Sequence, residues 1–193
     1  MKRHAAGLTA LAFLILIPPL SAQTKPVEFG FDMGLSILLP DEEEADNVTV
    51  IGLPSMSSSW GTGVVRFGFF VSPQISIEPS ISLARWSSED NSVTAVQIFP
   101  NLVYHFKEFE MIPLPYVRLG AGLNRQSHSF DGESDSESQF GIGGGVGVKI
   151  PFAKTAFLRL EGGYDKWLEG DKEDGARGFG AIRLSVGISA IIN

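Results

Sequence analysis

A two-residue alternation of apolar with small or polar side chains, repeated in eight segments, is the feature that most constrains this fold. In the first segment Phe29, Phe31, Met33, Leu35 and Ile37 alternate with Gly30, Asp32, Gly34 and Ser36. Similar patterns run through residues 65–71, 75–84, 95–106, 117–124, 141–150, 158–165 and 182–189. A period of two puts alternate side chains on opposite faces of an extended strand, so the chain reads as all-β with two-faced strands. The connections alternate in length. Ser72-Pro73-Gln74, residues 107–113 and Ala153-Lys154-Thr155 are short, whereas the others are longer and polar, the longest running from about Pro40 to Trp60. Such a sequence calls for an up-and-down antiparallel sheet with tight turns at one end and long loops at the other.

Alternation alone does not say which face is inside. The polar face is rich in glycine and serine and carries a few charges: Asp32, Arg66, Glu78, Arg118, Lys149, Arg159, Glu161 and Arg183. Glycine weakens a solvent-facing strand, but small residues suit the narrow interior of an eight-stranded barrel. Charges of opposite sign suit it too, because they can neutralise each other there. The opposite face is nearly free of charge, as a lipid-facing band must be. The expected fold is therefore an eight-stranded antiparallel transmembrane β-barrel with apolar side chains outward. Aromatics near the segment ends suggest two girdles: Trp60, Trp86, Phe140, Trp167 and Phe179 toward the long loops, and Tyr104, Phe106, Tyr116, Phe152 and Phe157 toward the short turns. An inward-facing alternative, a soluble exported barrel holding a small apolar ligand, alternates in the same way.

The amino terminus reads as an export signal. Lys2 and Arg3 precede an apolar stretch from Ala5 to Leu20, and the small residues Ser21 and Ala22 follow. Residues 1–22 are thus expected to be a signal peptide and residues 23–193 the barrel domain. Lys and Arg number 15 against 22 Asp and Glu, a net charge of −7, which disfavours nucleic acid as a partner. There is no cysteine, which excludes a disulfide scaffold and thiol chemistry.

Pro79 and Pro100 lack ladder donors and stand out in strand sequences. If the hairpin between them turns at Glu89-Asp90, they lie opposite each other on the lipid face and share one local gap in the sheet.

With these patterns in place, the chain resembles the small outer-membrane β-barrels of the OmpA transmembrane-domain and OmpX type. The resemblance rests on PYVRLGAGLNR from Pro115, FGIGGGVGVKIPF from Phe140, FLRLEGGYDKW from Phe157 and IRLSVGIS from Ile182. It implies a porin-like protein of a Gram-negative cell outer membrane, with outer-membrane lipid as its partner, acting as a monomer.

Three groups of residues are candidates for chemistry. The inward charges fit a plug of salt bridges, or else a polar conduit. Acids crowd the long connections: Asp41, Glu42, Glu43, Glu44 and Asp46, then Glu89 and Asp90, then Asp131, Glu133, Asp135 and Glu137, then Glu169, Asp171, Glu173 and Asp174. They suit a solvated rim, or loose divalent-cation binding through carboxylate oxygens, although DGESDSES from Asp131 lacks EF-hand spacing. His105 is expected to point inward, and His128 sits between Ser127 and Ser129 at the start of a loop, with no oriented acid evident beside it. No catalytic, cofactor or metal residues are assigned. The leading expectation is a non-enzymatic barrel with a structural or surface-contact role. A narrow porin for small solutes, a lipid A-modifying enzyme and the soluble barrel are the alternatives.

Overall fold

The structure is a computed structural model that describes residues 26–41, 48–52, 63–88, 91–108, 113–130, 133–170 and 177–192. The expected signal peptide at 1–22 and Trp60 lie outside the described residues. Among the described residues nine strands form in chain order: β1 (Val27–Pro40), β2 (Val48–Gly52), β3 (Gly63–Ser72), β4 (Ile75–Ser88), β5 (Asn91–His105), β6 (Leu114–Phe130), β7 (Glu133–Ala153), β8 (Ala156–Trp167) and β9 (Phe179–Ile192). Each pairs antiparallel with its neighbours, and β1 pairs with β9 from Val27↔Ile192 to Pro40↔Phe179. That last ladder closes the sheet into a barrel. No helix among the described residues is long and apolar enough to cross a membrane, and the strands are the spanning elements. The shortest of the full-length strands has 10 residues, within the roughly 9–11 that a tilted spanning strand requires.

The eight expected segments are the eight staves of this barrel. One stave is composite, which the sequence reading did not anticipate. Val48–Gly52 was assigned to the longest loop, yet it pairs with Gly34–Leu38 of β1 directly beyond the pairing of β3 with Val27–Met33. Its Val48-Thr49-Val50-Ile51 run is β-branched throughout and suits a strand.

The faces sort as an inverted barrel requires. Met33, Leu83, Leu102, Leu119, Val146, Leu184 and Ile188 are exposed on the outer wall, while Asp32, Glu78, Arg118, Lys149 and Arg159 are buried within. A soluble barrel would reverse this arrangement.

Pro79 and Pro100 are register partners, as the turn position implies. Their missing donors do not share one gap, however. The β3–β4 ladder skips from Arg66↔Ser80 to Phe69↔Ile77, and β5–β6 skips from Ile98↔Leu123 to Asn101↔Gly120. Facing peptides alternate between pointing at each other and pointing away. A proline pair in the second phase takes its missing N–H groups from the two flanking ladders and leaves the shared one intact. Inside the barrel, Asn101 Nδ2 donates to the carbonyls of Glu78 at 2.9 Å and Phe99 at 2.7 Å, which reinforces the β4–β5 pair beside the prolines.

The wall is uneven in height. β8 has 12 residues, whereas β6 has 17 and β7 has 21. At about 3.4 Å per residue and a tilt of roughly 40°, β8 rises about 30 Å, close to the hydrocarbon thickness, while β6 rises about 45 Å. Glu133–Ser138, read from the sequence as loop, is therefore the upper part of β7, paired with β6 up to Phe130↔Glu133.

The outer wall yields a depth-dependent expectation. Leu119 is 68% exposed beside the mid-strand Asn101↔Gly120 pair, whereas Phe152, 60% exposed, adjoins the β7–β8 turn. Leu119→Arg should cost about 2–4 kcal/mol and Phe152→Arg about 0–1, as measured by urea unfolding from lipid vesicles. Equal costs would argue that the wall does not face lipid.

The barrel interior as candidate functional site

Inward positions on each strand follow the alternation, and they form three layers. At the short-turn end Phe70, Val103, His105, Leu114, Tyr116 and Phe157 are buried together. His105 points inward as expected and stacks on Phe70 at 5.5 Å between ring centroids. At the long-loop end Leu38, Phe99, Trp167, Phe179 and Ala181 make an apolar cluster. Phe99 meets Trp167 edge-on at 5.8 Å, and Trp167 stacks on Phe179 at 6.4 Å.

Between these layers lies a continuous charge network. Lys149 Nζ donates to Glu28 at 2.5 Å and to Glu78 at 3.1 Å. Glu78 also accepts from Arg159 at 2.7 Å and from Arg66 at 3.3 Å, and Arg66 pairs with Asp32. Glu161 accepts from Arg159 at 2.5 Å, Arg118 at 2.9 Å, Arg183 at 2.9 Å and the Tyr116 hydroxyl at 2.8 Å. Asp165 lies 3.3 Å from both Arg118 and Arg183. The five carboxylates Glu28, Asp32, Glu78, Glu161 and Asp165 thus balance the five cations Arg66, Arg118, Lys149, Arg159 and Arg183. Burying charge costs several kcal/mol per ion unless each ion is paired and hydrogen-bonded, and here every ion shares at least one partner. Cation–π contacts join the layers: Arg159 over Tyr116 at 4.4 Å and Arg118 over Phe99 at 5.8 Å.

The structure brings together all eight charged residues singled out from the sequence: Asp32, Arg66, Glu78, Arg118, Lys149, Arg159, Glu161 and Arg183. Sequence reasoning missed Glu28 and Asp165, although both share their strand's parity with Asp32 and Glu161. It also missed Phe99 and Val103, because β5 carries apolar residues on both faces around Pro100. Four residues assigned to the aromatic girdles are corrected. Tyr116, Phe157, Trp167 and Phe179 point into the barrel, since they share parity with Arg118, Arg159, Asp165 and Arg183. Phe140, Tyr104, Phe106 and Phe152 do face outward near the two ends.

The inner glycines are where the large inner side chains lie. A Cβ at Gly141 would come 2.6 Å from the Trp167 ring, and one at Gly122 would come 2.6 Å from the Phe99 ring. Gly147 makes the same allowance for Tyr116.

The other candidates are less organised. His128 lies on β6 rather than in a loop, is exposed, and faces Asp135 across the β6–β7 ladder. Strand alternation puts Ser127 and Ser129 on the opposite face from His128, so neither neighbouring hydroxyl is presented to the imidazole. Asp41 pairs with Lys166 at the rim. The acids at 42–46, 89–90, 131 and 171–174 lie outside the described residues, and among those described no cluster of three or more His, Asp or Glu is arranged to hold a metal ion.

A family model described as outer membrane protein beta-barrel domain matches residues 7–189. The chain belongs to that family. Its place is the cell outer membrane. Among solved structures it is similar to Neisserial surface protein A, with a TM-score of 0.61 at 13% identity over 85% of this chain and 96% of that one. It is also similar to Ail, the attachment invasion locus protein of Yersinia pestis, with a TM-score of 0.51 at 14% identity over 88% of this chain and 100% of that one. At such identities the likeness concerns the fold. No curated protein matches the sequence.

The network implies a contrast between interior and rim. Glu161→Ala takes a carboxylate from three guanidiniums in a buried layer and should cost about 3–5 kcal/mol. Lys166→Ala breaks an ion pair whose side chains are 33% and 51% exposed and should cost about 0–1 kcal/mol. Urea midpoints of the two variants in the same vesicles measure the difference, and similar midpoints would show that the interior charges are not mutually dependent.

Proposed function

We propose that this outer-membrane barrel is a sealed, non-enzymatic scaffold that acts through the surface it presents above the membrane. The observation that carries this reading is the filled lumen. A neutral layer of ten interlocked charges lies between an aromatic-rich layer at the short-turn end and an apolar cluster at the long-loop end. A solute crossing the barrel would have to part buried ion pairs, and each broken pair costs several kcal/mol. Water-filled porin lumens need many more strands than this barrel has.

The surface-contact half of the reading draws on the β6–β7 hairpin. It stands above the neighbouring β8 wall and ends in a polar, serine- and acid-rich tip. Arg125, His128 and Asp135 are exposed on it. The two similar proteins described above are named for surface location and for attachment, which accords with a role in contact.

Planar-bilayer recording tests the proposal. The purified full-length mature barrel should give no steady conductance, whereas Glu78→Ala combined with Arg159→Ala should raise the frequency of channel openings. Stable single-channel steps from the unaltered barrel would overturn the sealed reading in favour of a narrow porin.

A further inference from the structure

Above the hydrocarbon the raised β6–β7 hairpin presents two faces, and they differ in charge. The outward face continues the lipid-facing wall. On it Ile98, Leu123 and Phe140 form one register row, and all three are exposed. Two residues higher on β6 comes Arg125, exposed and in register with Val96 and Ser138. Next in register are Thr94, Ser127 and Ser136, and then Ser92 beside Ser129. The opposite face of the hairpin carries Gln126, His128, Asp135 and Glu137 instead. Among the described residues the outward face of these upper strands holds no acid, although acids outnumber bases 22 to 15 in the chain.

A face turned to water in so acidic a chain has no reason to exclude carboxylates, and the opposite face includes them. Exclusion of acids around a cation suits an anionic partner. Arg125 donates to Ser136 at 3.2 Å, and among the described residues no carboxylate pairs with it. The outward cation on β8 differs, since Lys166 is neutralised by Asp41. Height narrows the partner further. Arg125 stands about 5 Å and Ser129 about 16 Å above Leu123, at roughly 3.4 Å per residue and a tilt of about 40°. Phospholipid headgroups add only about 5–8 Å to each side of the hydrocarbon. They reach Arg125 but not the upper hydroxyls. Serine and threonine hydroxyls both donate and accept hydrogen bonds, as sugar hydroxyls do. A phosphorylated saccharide headgroup therefore matches both the cation at the base of this face and the hydroxyls above it.

We propose that the outward face of upper β5, β6 and β7 binds the phosphorylated sugar headgroup of an outer-leaflet glycolipid of the lipid A class. Arg125 holds a phosphate, and the serine and threonine rows exchange hydrogen bonds with the sugars above it. The acyl chains of the same molecule run down the wall beside Leu123 and Leu119, so the polar site is continuous with the lipid-facing surface. The proposal rests on the barrel's place in the outer membrane and not on the sealed lumen, so conductance does not bear on it.

The chain has no cysteine, so a fluorophore on Ser129→Cys reports on this face alone, and one on Leu168→Cys reports on the rim beyond β8. Gel mobility before and after boiling checks that each labelled barrel has folded. In phosphatidylcholine vesicles carrying increasing lipopolysaccharide, the Ser129 probe should respond at lower glycolipid content than the Leu168 probe. Adding Arg125→Gln should move the Ser129 response to about tenfold higher glycolipid, the scale of one charge-assisted hydrogen bond. Arg125→Lys should recover part of that loss, and Lys166→Gln should leave the response unchanged. Equal responses at the two probes would overturn the proposal, because the glycolipid would then surround the barrel indifferently. So would an equal response to phosphatidylglycerol, which supplies charge without sugar, or a response that Arg125→Gln does not move. A Ser129 signal that follows barrel density rather than glycolipid would overturn it in favour of a second copy of this chain.

Discussion

The ladder between β1 and β9 is the constraint on which the rest of the structure depends. In hydrocarbon no water can satisfy a backbone N–H or C=O, so a sheet that spans a bilayer must have no open edge. Closing this one seam turns eight amphipathic staves into a wall with an inside and an outside. Everything else follows from the difference between those two surfaces. Outside, the solvent is lipid and the side chains need only be apolar. Inside, the space is narrow and every group must find its partner from the wall itself.

The inner face answers that demand with charge, and the arrangement is economical. A single central carboxylate, Glu78, is shared by Lys149, Arg159 and Arg66, and Glu161 holds Arg159 as well and ties two further guanidiniums and a tyrosine to the same layer. Removing Glu78 or Glu161 takes a partner from three cations at once. The layers above and below keep the pairs buried, and the low local dielectric strengthens each electrostatic contact and raises the cost of breaking it. In the sealed reading proposed above, stability and closure of the lumen come from the same residues.

Much of this was legible in the sequence because strand geometry has so few free choices. Period-two alternation identified the staves, and the glycine-rich polar face told lipid-facing from water-facing. One turn position was enough to put Pro79 opposite Pro100. What escaped had physical causes. β2 hid inside a long polar connection, where a five-residue strand has no room to display a period. Tyr116, Phe157, Trp167 and Phe179 looked like interfacial aromatics because they sit at strand ends, although their parity with charged neighbours points inward. The pairing of the charges could not be read at all. It depends on strand tilt and stagger, which bring residues from β1, β3, β4, β6, β7, β8 and β9 to one level, and no local pattern encodes that.

The small-for-large matching on the inner wall bears on how such a chain can change over generations. Gly147 exists beside Tyr116, Gly141 beside Trp167, and Gly122 beside Phe99. Neither member of such a pair can drift freely, but the two can exchange roles or shrink and grow together. The outward positions, by contrast, can wander among apolar residues with little penalty. Divergence would then proceed by compensated double replacements within and loose substitution without. That is a route by which two barrels can keep a common shape while sharing 13% of their residues.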